Sequence, residues 1–569
     1  MGVGEWAVTS LLDPALGPEL LYWLKQFQGC VSLLVNEHEA LVRAILRVNW
    51  FSYGGEVKGQ YQALLVNLVS AQPIYLTRVL TTLVRHFAPE TDPSTAADTG
   101  ASEDSSHHRA QLEKFSFVHE TLQELQKIVP LLPKYLLSVL SEQFPLARHS
   151  GYIQEWYVRN LLQLSRYQPE LCCSILEIVV HRLLEIDVSL PKDDIWEPKD
   201  QDQDGDASEA TQFAMDEDNE KKDDVGIEED DENMRLSETG GKLDSLMTVV
   251  MEYLKDTSFR NGEFLFEEAK VLHRHLLQVF ERVILPTHAS NNTQFLLFYF
   301  CSFRQGIVDS FLDALWRKFV NPNTPAVVRQ TAASYIASFV SRAEFLPHSS
   351  VTACLDLIVG WIHCYIDNQE GSTRFTHEMN IRIHGPFYSL CQAVFYIFVY
   401  RHQQLFENNK GLHYVMGLNL ERIVTCRLNP LRVCLPSIVN IFATLARKFQ
   451  VAYCYTVMEH NARSMLPVLG LNDSGSAPAV TNSNPLDSFF PFDPYMLPRS
   501  GEAIEKLYRH WEGFTQDTQD VTQTDGGAEE EEDEFMQYES VERDLPLGLT
   551  PTGIACVSPG FRSPSSYGR

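Results

Sequence analysis

The sequence lacks the short motifs that carry most enzymatic and metal chemistry. It contains no CxxC pair, no HExxH, no GxSxG elbow and no glycine-rich turn from a strand into a helix. A cysteine-based redox or zinc site, a zinc protease, a serine hydrolase and a nucleotide-binding α/β domain are therefore not indicated. We predict no catalytic residue, no metal site and no cofactor.

The sequence also shows no membrane span or secretory signal. The most informative apolar stretch, His384–His402, is interrupted by Ser389 and Gln392 and is shorter than the roughly 20 apolar residues that a bilayer requires. The first residues do not place a basic region before an apolar one. The 11 cysteines are an odd number and lie mostly in apolar stretches, which is typical of a reducing compartment.

Basic residues are few, and the charge is unevenly distributed. The net charge is −29, from 46 Lys and Arg against 75 Asp and Glu. Residues 191–240 contribute −15 (20 acidic, 5 basic) and residues 511–540 contribute −11 (11 acidic, none basic), so the rest of the chain carries only −3. Because a nearly neutral body offers no basic footprint, we do not expect direct DNA binding.

Helical periodicity fills most of the chain. Apolar residues follow the i, i+3, i+4, i+7 rule most clearly from His384 to His402, where Gly385-Pro386 predicts the helix start. Thr324 and Pro325 predict an N-cap and a first helical residue for another helix. Helix pairs recur about every 40–50 residues, and no part of this body alternates like strands. The sequence therefore predicts an all-α, HEAT-like helical-repeat solenoid.

Changes in composition divide the chain into five segments. The acidic stretches have too little apolar periodicity to fold alone, whereas Phe489, Phe490, Phe492 and Tyr495 are too apolar to remain in water. We predict HEAT-like repeats at 1–190 (with a loop at 88–109), a disordered acidic insertion at 191–241, HEAT-like repeats at 242–469, a docked proline- and aromatic-rich strap with a short helix at 470–512, and a disordered acidic, Ser-Pro-bearing tail at 513–569.

Several polar features have both a functional and a structural interpretation. The 18 histidines show no ligand spacing, so we interpret them as structural or surface residues. Cys364 and Cys391 have apolar neighbours, so we predict that both are buried and inert. The acidic runs either dock on basic surfaces or keep the chain soluble, and both interpretations stay open. Thr550, Ser558 and Ser563 each precede a proline and are candidate phosphorylation sites for a proline-directed kinase.

Four ordered motifs carry a family resemblance. They are Leu285-Pro-Thr-His-Ala-Ser290, His384-Gly-Pro-Phe-Tyr-Ser389 with Cys391-Gln-Ala-Val-Phe-Tyr396, Leu428-Asn-Pro-Leu431, and Asn484-Pro-Leu-Asp487 with Phe489-Phe-Pro-Phe-Asp-Pro494. In this order they closely resemble the RNA polymerase I-specific transcription initiation factors of the TIF-IA type, which are HEAT-repeat proteins. The resemblance extends from about residue 10 to Ser566.

The resemblance implies a function without catalysis. Such factors bind the stalk side of RNA polymerase I and recruit it to ribosomal RNA gene promoters through the promoter-bound selectivity factor, a TBP-containing complex. It also implies action in the nucleus and nucleolus, regulation by kinases, and self-association as a homodimer when the factor is free. The alternative from the residues alone is a HEAT-type nuclear transport receptor or general scaffold, which would share the repeats and the acidic loop.

The resemblance also nominates particular serines. Family members contact polymerase through a serine-bearing surface of the N-terminal half, to which Ser138, Ser141 and Ser150 correspond loosely, while Phe561-Arg-Ser-Pro564 resembles the regulated tail. The family pattern further includes a basic, Ser-Pro-bearing arm before the first helices and a longer tail. The printed sequence starts almost directly in the predicted solenoid, so no regulatory site is transferred to either place.

Overall fold

The described residues fold almost entirely into helices that alternate along the chain. The computed structural model describes residues 17–89, 103–190, 196–198, 234–287, 290–370, 381–407, 409–465, 486 and 490–511. The helices before the acidic insertion are α1 (Gly17–Gly29), α2 (Glu39–Arg47), α3 (Gly55–Ala71), α4 (Leu76–Arg85), α5 (Glu103–Ile128), α6 (Leu132–Glu142), α7 (Gly151–Tyr167) and α8 (Cys172–Ser189).

The helices continue after the insertion. They are α9 (Glu238–Ser258), α10 (Phe266–Val279), α11 (Phe295–Cys301), α12 (Gln305–Val320), α13 (Ala326–Arg342), α14 (His348–Glu370), α15 (Ile381–Leu405), α16 (Asn409–Gly417), α17 (Leu420–Thr425), α18 (Pro430–Val433), α19 (Pro436–Lys448), α20 (Cys454–Met465) and α21 (Pro498–Ile504). A π-helical turn, Phe280–Ile284, follows α10, and short 3₁₀ turns join several helices.

Alternate helices stack on one another, which is the arrangement of a helical-repeat solenoid. In the N-terminal half α1, α3, α5, α7 and α9 form one layer, and α2, α4, α6, α8 and α10 form the second. Each helix buries one apolar stripe, such as Leu76, Val79, Leu80 and Leu83 on α4, and the two layers share a continuous core. The predicted all-α repeat fold is therefore the observed one.

Two turns between the layers have the same local sequence and conformation. Gln72-Pro73 follows α3 and Gln168-Pro169 follows α7, and both glutamines have non-helical backbones (φ −133°, ψ 81° and φ −123°, ψ 73°). Each α-helix ends at this glutamine because a proline disfavours helical geometry in the residue before it. The proline then begins a 3₁₀ turn. This Gln-Pro pair is a repeat signal that the sequence analysis did not use.

The apolar helix at the centre of the C-terminal half is longer than predicted. α15 starts at Ile381, so Pro386 lies inside the helix and the start predicted at Gly385-Pro386 is wrong. Packing against α13, α14 and α19 keeps the helix continuous through the proline, while Gly385 allows the Gln330 side chain of α13 to approach closely. The neighbours predicted on both sides of this helix are present.

Other helix boundaries also differ from the predicted ones. α13 starts after Pro325, and no side-chain bond from Thr324 caps it. Helix α5 already begins at Glu103, inside the stretch 88–109 predicted as a loop. Apolar spacing also predicts one helix over 431–449 and a last short helix over 504–511. Both predictions are wrong in their bounds, because Pro436 starts a separate helix and the last helix ends at Ile504.

Apolar spacing predicts a helix from Glu263, but a short hairpin ends at Phe264 and α10 begins only at Phe266. β3 (Phe259–Arg260) pairs with β4 (Glu263–Phe264) across an Asn261-Gly262 turn, in which both residues have positive φ (53° and 84°). Asn-Gly is the preferred pair for this two-residue turn. The strands are only two residues long, so no alternation of polar and apolar residues announced them.

The ends of the acidic insertion are paired, although most of it lies outside the described residues. β1 (Trp196–Pro198) and β2 (Met234–Leu236) form an antiparallel ladder with Trp196 opposite Leu236. Helices on both sides of the insertion also contact each other, since Ser165 Oγ of α7 lies 2.9 Å from Tyr253 Oη of α9. The two predicted repeat regions, 1–190 and 242–469, are therefore joined through their cores.

The predicted strap crosses several helices of the C-terminal half. Residues 490–511 place the Phe492 ring among aromatic rings of α11 and α13, and the Phe492 N–H donates to Ser338 Oγ (2.9 Å). At the other end the buried Asp244 carboxylate accepts from the backbone N–H groups of Arg499 (2.9 Å) and Ser500 (2.8 Å). Phe490 is also buried, whereas Phe489 lies outside the described residues.

One buried histidine links three elements of the N-terminal half. His119 on α5 is 2% exposed, with Nδ1 2.9 Å from Tyr167 Oη and Nε2 3.1 Å from Asn160 Oδ1. The Asn160 amide nitrogen donates to the Phe87 and Trp156 carbonyls, so its oxygen accepts from His119 Nε2–H. The neutral ring fits this network, and burial lowers the pKa of His119 from 6.5 to about 4.

Acidification is therefore expected to destabilise the protein through His119. The unfolded chain takes up this proton near pH 6.5 and the folded chain only near pH 4, so the free energy of unfolding falls as the pH drops between these values. From pH 7 to pH 5 the loss is about 2 kcal/mol. Urea unfolding at pH 7 and at pH 5 would measure this loss in the unmodified protein and in His119→Asn. The loss of unfolding free energy between the two pH values should be smaller in His119→Asn by about 2 kcal/mol. An equal loss in both proteins would contradict the assignment.

Candidate partner-binding site

Two of the predicted serines lie in one open groove between α6 and α8. The apolar residues of α6, Leu132, Leu136, Val139 and Leu140, face the core, and helical periodicity therefore places Ser138 and Ser141 on its exposed face. Both serines line a groove of about 700 Å³. We call it the Ser138–Ser141 groove.

The other wall of the Ser138–Ser141 groove comes from α8 and adds residues that the sequence analysis missed. Ser174 lies there on the face that α8 turns toward α6, followed at helical spacing by further lining residues, Glu177, Ile178, His181, Arg182 and Glu185. Their spacing in the sequence shows that these residues share one face of α8. The local sequence does not show that this face lies opposite Ser138.

The charges of the groove are mixed and partly fixed. The Arg182 guanidinium donates to Glu185 (2.6 Å) and to the Pro145 carbonyl (3.3 Å) and lies over the Phe144 ring (4.7 Å). Ser138 Oγ donates to the Tyr135 carbonyl (3.0 Å), which leaves its outer face accessible. A partner with hydrogen-bonding groups can therefore bind here. An added negative charge would lie in a groove that is lined by Glu177 and Glu185 and also by Lys134.

Ser150 does not line this groove. It is the N-cap of α7, and its hydroxyl accepts from the Ile153 N–H (3.4 Å). A cap of this kind stabilises a helix by about 1 kcal/mol, which gives Ser150 a structural role. The structure thus brings Ser138 and Ser141 together and separates Ser150 from them.

Neither of the two nominated cysteines lines this groove. Thr550, Ser558 and Ser563 lie outside the described residues. Cys391 is buried, and burial raises its thiol pKa as expected for an inert cysteine. Cys364 is exposed on α14, so the prediction that it is buried is wrong. Among the described residues no group of three or more His, Cys, Asp or Glu side chains could hold a metal ion.

The family is decided by comparison with known proteins. The model of the family "RNA polymerase I specific transcription initiation factor RRN3" matches residues 13–516. The chain belongs to the RRN3 family. This RRN3-family chain is 39% identical over 573 residues to the mouse (Mus musculus) RNA polymerase I-specific transcription initiation factor RRN3, with 99% of this chain and 86% of the relative covered.

More distant relatives agree with this assignment. The fission yeast (Schizosaccharomyces pombe) RNA polymerase I-specific transcription initiation factor rrn3 is 26% identical over 534 residues, covering 90% of this chain and 81% of the relative. The crystal structure of RNA polymerase I transcription initiation factor Rrn3 matches with a TM-score of 0.66 at 20% identity, covering 89% of this chain and 94% of that one. The predicted family and the RRN3 fold are both confirmed, and the family consists of initiation factors, not enzymes.

Proposed function

We propose that this RRN3-family protein binds RNA polymerase I through the Ser138–Ser141 groove and makes it competent to initiate at ribosomal RNA gene promoters. The observation that carries the proposal is a pair of exposed serines in an open groove of a chain that belongs to a family of RNA polymerase I initiation factors. Such a protein acts in the nucleus, at the nucleolus. It meets the promoter through the TBP-containing selectivity factor.

Phosphorylation supplies the regulation in this proposal. A phosphate on Ser138 or Ser141 adds about −1.5 to −2 charge at pH 7. Glu177, Glu185 and Lys134 line the same groove, and Arg182 is already paired with Glu185, so the unmodified groove is close to neutral and the phosphate makes it negative. The modified groove therefore repels an acidic partner surface and is costly to desolvate, so the modified factor releases polymerase.

The tail and self-association complete the regulatory proposal. Kinases that recognise Ser-Pro or Thr-Pro would modify Ser563, Ser558 and Thr550, which lie outside the described residues. The free factor would self-associate as a homodimer and dissociate when polymerase binds. The Ser-Pro and Thr-Pro pairs support the first point, and the second follows from what the family resemblance implies.

The double variant Ser138→Glu/Ser141→Glu is expected to weaken binding to purified RNA polymerase I by about 10-fold or more, or about 1.4 kcal/mol. The two carboxylates introduce charge and longer side chains into the groove, while Ser138→Asn/Ser141→Asn adds size without charge and should bind more tightly than the Glu pair. Surface-captured polymerase and a titration of each variant at two salt concentrations would measure this.

A matched control separates the groove from charge in general. Thr444→Glu adds a carboxylate to an exposed position of α19 and should leave the affinity unchanged. If the double Glu variant is folded by circular dichroism and still binds like the unmodified protein, the groove is not the polymerase contact.

A further inference from the structure

A second groove lies in the C-terminal half, between α12 and α14. Its walls carry apolar residues at helical spacing, with Leu312 and Trp316 on α12 and Ala353, Leu357 and Ile358 on α14. Its volume is about 240 Å³. We call it the α12–α14 groove, and it shares no lining residue with the Ser138–Ser141 groove.

The groove continues into an uncovered face of α14. Among the described residues α14 is the single unbroken helix long and apolar enough to cross a membrane, yet only 33% of its most apolar window is buried. One side packs on α15. The other side exposes Ala353, Leu357 (53% exposed), Gly360 and Cys364, and the space where Gly360 would carry a Cβ is open. The small residues in this row, Ala353, Gly360 and Cys364, leave room for another helix to approach, and Leu357 offers it an apolar contact.

The walls of the groove favour a bound segment that is helical. Both walls are helices whose backbone groups are already paired, so the groove offers no main-chain partners to an extended peptide. A segment buried there must satisfy its own backbone hydrogen bonds, as a helix does. The volume is below the range of pockets for drug-sized ligands, and it suits a few anchoring side chains.

The rim of the groove selects the charge of the occupant. Its charged lining residues are Asp309 and Asp313, both exposed on α12. Asp313 pairs with Arg317, whereas Asp309 has no ion pair within the described part of the chain. Asp309 also lies close enough to Cys354 to add to the effect of burial, which raises the pKa of that thiol to about 12. Asp309 accepts a hydrogen bond from the Gln305 amide (2.8 Å) but keeps its charge. A basic side chain beside the apolar anchors would compensate this carboxylate.

A second copy of the chain fits this groove less well. A two-fold symmetric contact places the same patch on both subunits, so a contact whose axis passes near the rim would set Asp309 of one copy near Asp309 of the other. Like charges across an interface disfavour the complex. The charge pattern therefore favours a different partner.

We propose that the α12–α14 groove binds an amphipathic helix of a partner protein, with leucine-like anchors in the groove and a basic residue at the Asp309–Asp313 rim. Ridges of a third helix then pack between those of α12 and α14. This surface is a second docking site, separate from the proposed polymerase contact.

The test uses two synthetic, fluorescein-labelled helical peptides of about 16 residues, or about four turns. Both carry leucines at i, i+3, i+4 and i+7, and they differ only in lysines or glutamates flanking this stripe. Fluorescence anisotropy with the full chain should show at least about 10-fold tighter binding of the lysine peptide. Asp309→Lys/Asp313→Lys should reverse this preference, and Leu357→Glu should weaken binding of both peptides by about 10-fold.

The controls decide between this proposal and its rivals. Val327→Glu introduces the same charge at an exposed position of α13 and should leave the binding of both peptides unchanged. Equal affinity for the two peptides, or a preference that survives the double Asp reversal, would overturn the proposal. Sedimentation that shows a dimer in the unmodified protein and a monomer in Leu357→Glu would also overturn it, because the occupant would then be a second copy.

Discussion

Replacement of Asp187 by alanine is expected to lower the free energy of unfolding by about 4 kcal/mol or more. Asp187 is fully buried in the last turn of α8 and accepts four donors from Asn292 and Thr293: both backbone N–H groups, the Asn292 amide and the Thr293 hydroxyl, at 2.8–3.1 Å. Alanine leaves these donors without an acceptor, and each unpaired buried group costs about 1–3 kcal/mol.

The position of Asp187 explains why the effect should spread. Asn292 and Thr293 immediately precede α11, so the carboxylate fixes the start of a helix that lies 105 residues further along the chain. This bond crosses the acidic insertion and ties the N-terminal repeats to the C-terminal ones. Its loss should therefore loosen both α8 and α11.

Hydrogen exchange and urea unfolding would measure this result. Exchange should accelerate in α8 and α11 first, since it reports local opening free energies. Asp187→Asn keeps one acceptor oxygen and should be intermediate. Asp256→Ala removes an exposed carboxylate 3.5 Å from Arg166 and should cost less than about 1 kcal/mol. An Asp187→Ala variant as stable as this control would refute the assigned role.

The second large effect is expected for Phe492→Ala, which should destabilise the C-terminal half by about 3–5 kcal/mol. The Phe492 ring is fully buried, with its centroid 5.1 Å from that of Phe298, 5.3 Å from that of Phe295 and 5.7 Å from those of Tyr335 and Phe339. Its removal leaves a cavity where the strap enters the core between α11 and α13.

The loss of Phe492 should also release the strap. The Phe492 carbonyl accepts from Tyr508 Oη (3.0 Å), and its N–H donates to Ser338, so both ends of the strap depend on its position. Limited proteolysis should then cut within 490–511 faster than in the unmodified protein. Met496→Ala, at a 39% exposed position of the same strap, is the control. Equal cleavage of Phe492→Ala and the control would show that Phe492 does not anchor the strap.

Features with a local cause could be predicted from the sequence. Apolar spacing gave the helical class and most of the helices, because every turn of an amphipathic helix repeats the same pattern. The proline- and phenylalanine-rich segment around Phe492 could be predicted to dock, since it is too apolar for water and has too many prolines for a helix. The ordered motifs around His384 and Asn484 gave the family, which the comparisons confirm.

The sequence failed where a boundary depends on packing. Pro386 marked a helix start on local grounds, but contacts with α13 and α14 extend α15 to Ile381. The Asn261-Gly262 hairpin was missed because two-residue strands have no period. The conformational preference of one residue contributes less free energy than a buried interface, so packing decides the boundary when the two conflict.

The sequence by itself determined which residues share a helical face, and only the tertiary structure decided which faces meet. Ser138 and Ser141 are three residues apart, and one turn of α6 places them together. Ser174 joins them because α8 packs beside α6, and Ser150 is excluded because it caps α7. The same holds for Asp187, whose partners lie more than 100 residues away. The physical reason is that helical periodicity acts within one turn, whereas burial acts between segments that the chain brings together only on folding.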